Sequence, residues 1–388
     1  MDAGAFVDSP FGRPTQEPGN RWAFTYYLPR PVPRHLDLSA PLIALLSEAD
    51  AALGHLQGLS ALLPDPALLI GPYVRREAVA STRIEGTQAS LSDVLRDEVG
   101  TGPGSEDVRE VHRYLEATQL AYDLARTLPI TQRLILQVHE VLLRGLQGES
   151  GRPGELRTSP VWVGHRDATP ETATYVPPLP QHLPELMSDW ELFVNEDGRH
   201  LPALLQAALM HYQLETIHPF LDGNGRIGRL LINVLLMERG RLSHPVLYLS
   251  HYFETHRDDY YGGLQGVRER GDIDTWLTVF LNAVKAQADD AVRRSSELIR
   301  VREEYLAVAH ATRSALPALV EGLMRNPYVT ARSAETATGL SNQGARNLIR
   351  RAEDLGWLEH LGARGRGGQE SWVASRILDA MASPMTYR

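Results

Sequence analysis

Apolar residues spaced three and four apart recur from Asp37 to beyond Trp276, and that spacing commits the middle of the chain to helices packed on helices. The run LDLSAPLIALLSEADAALGHLQGLSALL puts Leu42, Leu45, Leu46, Ala49, Leu53 and Leu56 at helical intervals, and Pro64 and Pro66 end it. The same patterning predicts helices near residues 67–80, 90–99, 106–127, 131–146, 183–195, 201–216 and 229–238, and from Asp274 onward. At 388 residues the chain exceeds one ordinary core, so two or three packed units are expected. Hydrophobic residues at 43% supply enough apolar surface to offset the entropy of ordering, which excludes wholesale disorder.

Two stretches break the helical pattern. Residues 1–37 are rich in Pro and Gly around Trp22, Phe24, Tyr26 and Tyr27, and are expected to run extended over a surface rather than to form a core. Within residues 151–180, the segment RTSPVWVGHRDATPETATYVPPLP sets short β-favouring runs between Pro, Gly and Thr, which predicts a small hairpin or flap. After a charged connecting helix, residues 316–388 have the layout of a helix, a short connection, a helix ending at Gly339, a tight turn and a second helix. Two β-leaning pieces then flank the tip GARGRGG, as in a helix-turn-helix with a wing.

Charge and composition exclude several function classes. Thirty-nine basic against forty-eight acidic residues give −9, which argues against a surface built to coat nucleic acid or anionic lipid. With no cysteine there is no disulfide, thiolate zinc site or thiol nucleophile. The opening residues lack the pattern of a signal peptide, and no run of about 18 apolar residues occurs. A cytoplasmic protein with no membrane partner is expected.

The chemistry is concentrated in His218 to Arg229, HPFLDGNGRIGR. Gly223, Asn224 and Gly225 can turn successive N–H groups inward as an anion-binding nest. A helix starting at Arg226 adds its unpaired amides and the positive end of its dipole. Arg226 and Arg229, three apart, can neutralise the outer phosphates of a triphosphate. Asp222 at the lip is the single carboxylate that a protein usually lends to a magnesium ion beside a polyphosphate. His218, four residues earlier at a helix end, titrates in the range suited to taking a proton from a hydroxyl.

This segment resembles the signature of the Fic family, HxFx(D/E)GNGRxxR, with every defining position filled. The resemblance implies a mainly α fold, a Fic-type helical bundle with a small β-hairpin flap, followed here by a C-terminal winged helix-turn-helix. It implies four parts: an N-terminal extension with an inhibitory helix over 1–100, a catalytic core over 101–285, a connecting helix over 286–315 and a winged-helix domain over 316–388. The implied activity is transfer of AMP from ATP to a Ser, Thr or Tyr hydroxyl of a protein, the chain itself included. On that resemblance His218 is the general base and Asp222 holds Mg²⁺ on the α and β phosphates. Gly223, Asn224 and Gly225 form the anion hole, Arg226 and Arg229 bind the β and γ phosphates, and Ile227 and Gly228 complete the ATP-binding stretch.

Upstream, Ser81-Thr82-Arg83-Ile84-Glu85-Gly86 resembles the family's inhibitory motif (S/T)xxxE(G/N). That implies autoinhibition by Glu85, delivered by the helix of Ser81 and Gly86, through a bidentate pair with Arg229 that spoils the pose of ATP. LYLSHYFETHRDDYYGGLQGVR is similar to the segment where paired tyrosines flank adenine, suggesting Tyr260 and Tyr261 with Arg268 nearby. GELRTSPVWVGH resembles the target-docking flap, which would lay the acceptor segment along Val161, Trp162, Val163 and Gly164 as an added strand. His211 and Glu215 are read as packing or supporting residues. His251 and His256 lack a third metal ligand nearby.

From Leu316 to Arg376 there are eight arginines and no lysine against six acids. Arg346, Arg350 and Arg351 on the second helix and Arg364 and Arg366 at the wing tip suit phosphate contact, although an excess of two is short of a strong electrostatic footprint. DNA is one partner for this unit, and protein docking or support of a homodimer is the other. Two alternatives to the adenylyl transfer follow: a DNA-binding regulator whose Fic-like domain senses nucleotide, and a Fic enzyme using another donor such as UTP. The phosphorylating branch of the family departs from GNGR in the loop, and this chain does not.

Overall fold

In a computed structural model of the chain, residues 1–17, 19, 22–61, 67–146, 152–165, 167–364 and 368–382 are described. In chain order the elements are β1 (Gly12–Thr15), β2 (Tyr26–Pro29), α1 (Ala40–Ala61), α2 (Ala67–Ile84), α3 (Leu91–Glu98), α4 (Glu106–Ala125), α5 (Gln132–Leu143), α6 (Leu183–Asn195), α7 (Ala203–Ile217), α8 (Asn224–Glu238), α9 (Leu249–Thr255), α10 (Arg257–Arg270), α11 (Ile273–His310), α12 (Leu316–Arg325), β3 (Tyr328–Thr330), α13 (Ala331–Thr338), α14 (Asn342–Asp354), β4 (Glu359–Arg364), β5 (Gln369–Val373) and α15 (Ser375–Ala382). The fold is mainly helical, as the periodicity predicts. No helix among the described residues is long and apolar enough to cross a membrane.

The chain forms two compact units, each assembled from separate stretches: Met1–Gly54, Arg113–Ser243 and Leu249–Ala286 in the first, His55–His112, His244–Tyr248 and Gln287–Arg388 in the second. The boundaries fall inside α1, α4 and α11, so the units are not consecutive lengths of sequence.

The first unit is organised around α7 and α8. Every residue of α7 except Glu215 is buried, and so are Asn224 and Arg226 through Leu236 of α8. A helix apolar on all sides must be central. Gly228 lets the pair approach closely, since a Cβ there would lie 2.9 Å from Glu215 Oε1 and 3.0 Å from His211 Nδ1. α5 enters the same unit under an N-cap, the Thr131 hydroxyl accepting the Leu134 N–H at 3.4 Å. α9 and α10 carry no clear helical signal in the sequence. Gly262, Gly263 and Gly266 lower the propensity of α10, and burial of Tyr260, Leu264 and Val267 overrides it.

One expectation is corrected in this unit. Part of the N-terminal stretch enters a core: β1 and β2 pair antiparallel with Gly12 opposite Pro29 and Thr15 opposite Tyr26. Tyr26 and Tyr27, fully buried, join Phe6, Tyr175, Val176 and Leu179 in a core cluster. The prolines punctuate strands, and the aromatic side chains between them supply the apolar area that closes the cluster. Among the described residues the flap closes on one antiparallel bridge, Val163 with Tyr175, whose two N–H···O bonds measure 2.8 and 3.1 Å. Pro160 on one side and Pro177 and Pro178 on the other have no N–H with which to lengthen the ladder.

In the second unit α2 and α3 pack with the C-terminal elements. Leu95, Tyr328 and Val373 share a cluster, Asn326 donates to the Leu95 carbonyl at 2.8 Å, and the Arg75–Glu98 pair closes at 2.6 Å. The strand order is β3-β5-β4, antiparallel throughout. α13 starts at a Thr330–Ser333 capping box and ends on Gly339, and α14 starts at Ser341, so the helix, turn, helix and hairpin follow in the expected order. Arg366 lies outside the described residues, and of Arg364 only the backbone in β4 is described.

If the N-terminal strands are core, Tyr27→Ala should cost about 3–5 kcal/mol, as truncation of other buried aromatics does. Urea melts check this; a loss within about 0.5 kcal/mol is what a surface segment would give.

Candidate active site

The turn between α7 and α8 is built by His218, Pro219, Gly223 and Asn224. His218 caps α7 in the left-handed region, φ 51° and ψ 60°, with its N–H on the Leu214 carbonyl at 2.8 Å. A non-glycine residue there costs about 1–2 kcal/mol, so its surroundings must hold it. Pro219 follows and cannot continue the helix. Asn224 then folds its side chain back on Phe220, accepting its N–H and donating to its carbonyl, each at 2.9 Å. Gly223, at φ 82°, supplies the second left-handed step, and the α8 ladder begins only with Ile227 N–H on the Gly223 carbonyl at 3.0 Å. The amides of Asn224, Gly225 and Arg226 therefore form the amino-terminal turn of a buried helix, a site where an anion is favoured.

Charge is arranged around that turn. The Asp222 Oδ1 accepts from the Gly223 N–H at 2.6 Å and from Arg226 Nη2 at 2.9 Å. Arg226 is 3% exposed and Asp222 61%, so a buried guanidinium aims a solvent-facing carboxylate. Arg229 is buried one turn further on. Burial holds the Tyr260 phenol well above its usual pKa, with Glu215 acting the same way and a hydrogen bond from Arg229 opposing. Among the described residues no three His, Asp or Glu side chains form a metal-holding group.

The structure brings His218, Asp222, Gly223, Asn224, Gly225 and Arg226 into one turn, and separates others from it. Asn224 braces the loop with its side chain. Ile227 is fully buried, and Gly228 faces α7. Tyr260 is 1% exposed, its hydroxyl 2.9 Å from His211 Nε2 and its ring stacked on Phe253, whereas Tyr261 is exposed. Arg268 is likewise buried, with Nε donating to Thr216 Oγ1 at 3.1 Å and its guanidinium 4.1 Å above the Tyr175 ring. Trp162 and Val163 are exposed, with Val161 half-buried and Gly164 exposed beside them. In the second unit, Ser81 is buried in the last turn of α2. Glu85 is exposed in the turn that follows, its N–H on the Thr82 carbonyl at 3.0 Å, and Gly86 takes φ 114°.

Two residues that sequence reasoning missed clamp the loop. His139, fully buried on α5, stacks on Phe220 with centroids 3.8 Å apart. Its Nδ1 accepts the Gly154 N–H at 3.0 Å, so Nε2 carries the proton and donates to the Asp222 carbonyl at 3.0 Å. Burial pushes its pKa down to about 4, against the hydrogen bond to Asp222. Arg157, also buried, donates Nε–H to the His218 carbonyl at 2.8 Å. The only signal for His139 in the sequence is a histidine on the apolar face that Leu134, Ile135, Val138 and Leu142 define. Arg157 has none.

His211, pushed down to about 3 by burial, joins His139 as a histidine kept neutral by the fold. An unfolded imidazole titrates near 6.5, so below that pH the unfolded chain binds more protons. Stability complete above pH 6.5 is therefore lost as the pH falls toward 4. Thermal melts should show that decline, and His139→Asn should make it shallower.

Comparison with known proteins agrees with this geometry. Residues 43–123 match the family described as Fic/DOC family N-terminal, and residues 129–236 match the Fic/DOC family itself. A protein from Aedes aegypti named protein adenylyltransferase Fic is 36% identical over 170 residues, 44% of this chain and 30% of that protein. One of the same name from Drosophila grimshawi is 35% identical over 176 residues, 45% and 33% of the two chains. The chain thus spans about a third of the length of the curated relatives it matches. A Fic family protein from Desulfovibrio desulfuricans has the same fold at a TM-score of 0.57 and 21% identity, over 92% of this chain and all of that one. A Fic domain containing signaling protein from Bacteroides thetaiotaomicron gives 0.50 at 20% identity, over 64% of this chain and 97% of that one. With both models matched, and the motif residues gathered in one turn, the chain contains a Fic/DOC family N-terminal domain over 43–123 and a Fic domain over 129–236.

Proposed function

We propose that the chain is a protein adenylyltransferase that moves AMP from ATP to a Ser, Thr or Tyr hydroxyl of a protein, itself included, and that Glu85 restrains it. The observation that carries the reading is the turn between α7 and α8, where an imidazole at the carbonyl end of one helix stands just before the amide end of the next. ATP lays its phosphates on the amides of Gly223 to Arg226, over the charge of Arg226 and Arg229. His218 Nδ1 faces the Glu215 carbonyl at 3.3 Å, which favours the tautomer with its lone pair on Nε2. That nitrogen takes the proton of the acceptor hydroxyl, the oxygen attacks the α phosphorus, and pyrophosphate leaves. In-line displacement of this kind needs placement and neutralised charge more than covalent help.

A magnesium ion fits the donor set. Asp222 is a single exposed carboxylate at the lip of the phosphate cradle, and phosphate oxygens and water supply the other ligands. Once bound, Mg²⁺ would neutralise charge on the α and β phosphates. Exposed Trp162 and Val163 support a docking role for the flap. Val163 spends its N–H and carbonyl on Tyr175, and the alternation of a strand turns those of Trp162 and Gly164 the other way, toward an added strand.

The α13–α14 pair with its hairpin supports a second reading, a DNA-binding regulator that senses nucleotide. Its cations are partly spent: Arg346 pairs with Glu370 at 3.0 Å, and the cleft of about 390 Å³ between α14 and the hairpin is lined by Glu353 and Glu370 as well as Arg346 and Arg350. That mixture favours the enzyme.

ATP labelled at the α phosphate separates the readings. Glu85→Gly should attach label to protein roughly ten- to a hundredfold faster than the parent, the effect expected of removing one charged group worth about 1.5–3 kcal/mol. Adding His218→Ala should remove about 10²–10⁴-fold of that rate and leave ATP affinity nearly intact. No label under any condition, with a tight salt-sensitive complex on one DNA sequence, identifies the regulator. Asp222→Ala should lower the rate and flatten its Mg²⁺ dependence together, measured by magnesium titration of the initial rate.

A further inference from the structure

Arg157 is a buried cation whose partners are all main-chain oxygens. Its side chain is 2% exposed, yet among the described residues it forms no ion pair with a carboxylate, and burial pushes its pKa down to about 10. Its guanidinium donates to the carbonyls of His218 at 2.8 Å and Ile217 at 3.3 Å from one side, and to those of Ser159 at 3.2 Å and Pro178 at 2.5 Å from the other. Its own N–H adds a bond to the Pro219 carbonyl at 2.9 Å. Ile217 and His218 are the carbonyl end of α7, where helix geometry leaves oxygens without intrahelical partners and the dipole favours a cation. Ser159 and Pro178 are the two feet of the flap, on either side of the Val163–Tyr175 bridge.

We infer that Arg157 is a positioning residue that couples the flap to His218, so that the segment docked on the flap and the base that deprotonates it are held by one rigid side chain. The guanidinium is a planar fork, so a tilt imposed at the flap feet is carried to the His218 carbonyl without a flexible joint. His218 has a strained backbone that must be fixed from outside, and Arg157 holds the residues on both sides of its Cα. The other end of the loop has a separate clamp, His139 on the Asp222 carbonyl. The division is therefore sharp: Arg157 governs the base and the acceptor, and His139 governs the cradle.

The inference rests on the transfer reading, and its test is run on the full chain carrying Glu85→Gly, scored by α-phosphate label on the protein. Arg157→Lys keeps the charge and loses the fork. It should lower the single-turnover rate at least thirtyfold with the Kd for ATP within twofold, and Trp162→Ala, which slows the parent, should slow the lysine variant much less. An unchanged rate, an ATP affinity that falls in step with the rate, multiplicative effects of the two substitutions, or loss of a cooperative melt would each make Arg157 ordinary scaffold and overturn the coupling. A second variant does not depend on refolding the core. Trp162→Ala alone, at an exposed position, should move the acid limb of the pH–rate profile set by His218 by at least 0.3 pH, roughly a twofold change in the apparent proton affinity. A flap that only docks the target would change the rate and leave that limb where it was, and this too overturns the coupling. Absence of label from the chain with Arg157 and Trp162 intact would instead count against the transfer reading itself.

Discussion

The carbonyl end of one buried helix and the amide end of the next are brought within six residues of each other between α7 and α8. Opposite helix ends carry opposite partial charge, and neither can be left unsatisfied inside a protein. The two ends are treated differently. Arg157 meets the carbonyl end, while at the amide end the Asp222 carboxylate accepts from the Gly223 N–H and from Arg226. The close crossing at Gly228, the brace of Asn224 on Phe220 and the left-handed backbone at His218 and Gly223 all serve to hold these ends in register.

Much of this was legible in the sequence because its causes are local. The helices follow from apolar spacing, and the turn from Pro219, Gly223 and a dozen residues dense in charged and flexible types. The parts that were not legible depend on contacts distant in sequence. His139 and Arg157 act on backbone carbonyls of residues 83 and 61 positions away, and a carbonyl has no residue identity to read. Tyr260 and Tyr261 look alike as neighbours, yet helical geometry turns one into the core and the other to solvent. The N-terminal aromatics were misread because proline and glycine advertise a loop, while the core they complete is built by Tyr175, Val176 and Leu179 from the far side of the flap.

The division into units adds a constraint that the motifs alone do not carry. Ser81, Glu85 and Gly86 belong to the unit that also holds α13, α14 and the three-stranded sheet, and His218 belongs to the other. α2, which leads to Glu85, reaches the last helix directly, with Arg76 donating to the Met381 carbonyl and lying 4.7 Å over the Tyr248 ring. Arg294, paired with Asp290 at 2.5 Å, joins it on the carbonyls of the same helix end. α2 and the C-terminal elements thus share one set of buried contacts.

The loop also holds two imidazoles with opposite relations to water. The ring on α5 must stay dry and uncharged, because a proton on its second nitrogen would eject the Gly154 amide and unfasten the main chain beneath the cradle. The ring at position 218 is only half-buried. A spectroscopy that follows individual imidazole carbons would therefore see the α5 ring stay silent through the neutral range. In acid, that silent ring decides when the loop beneath it comes undone.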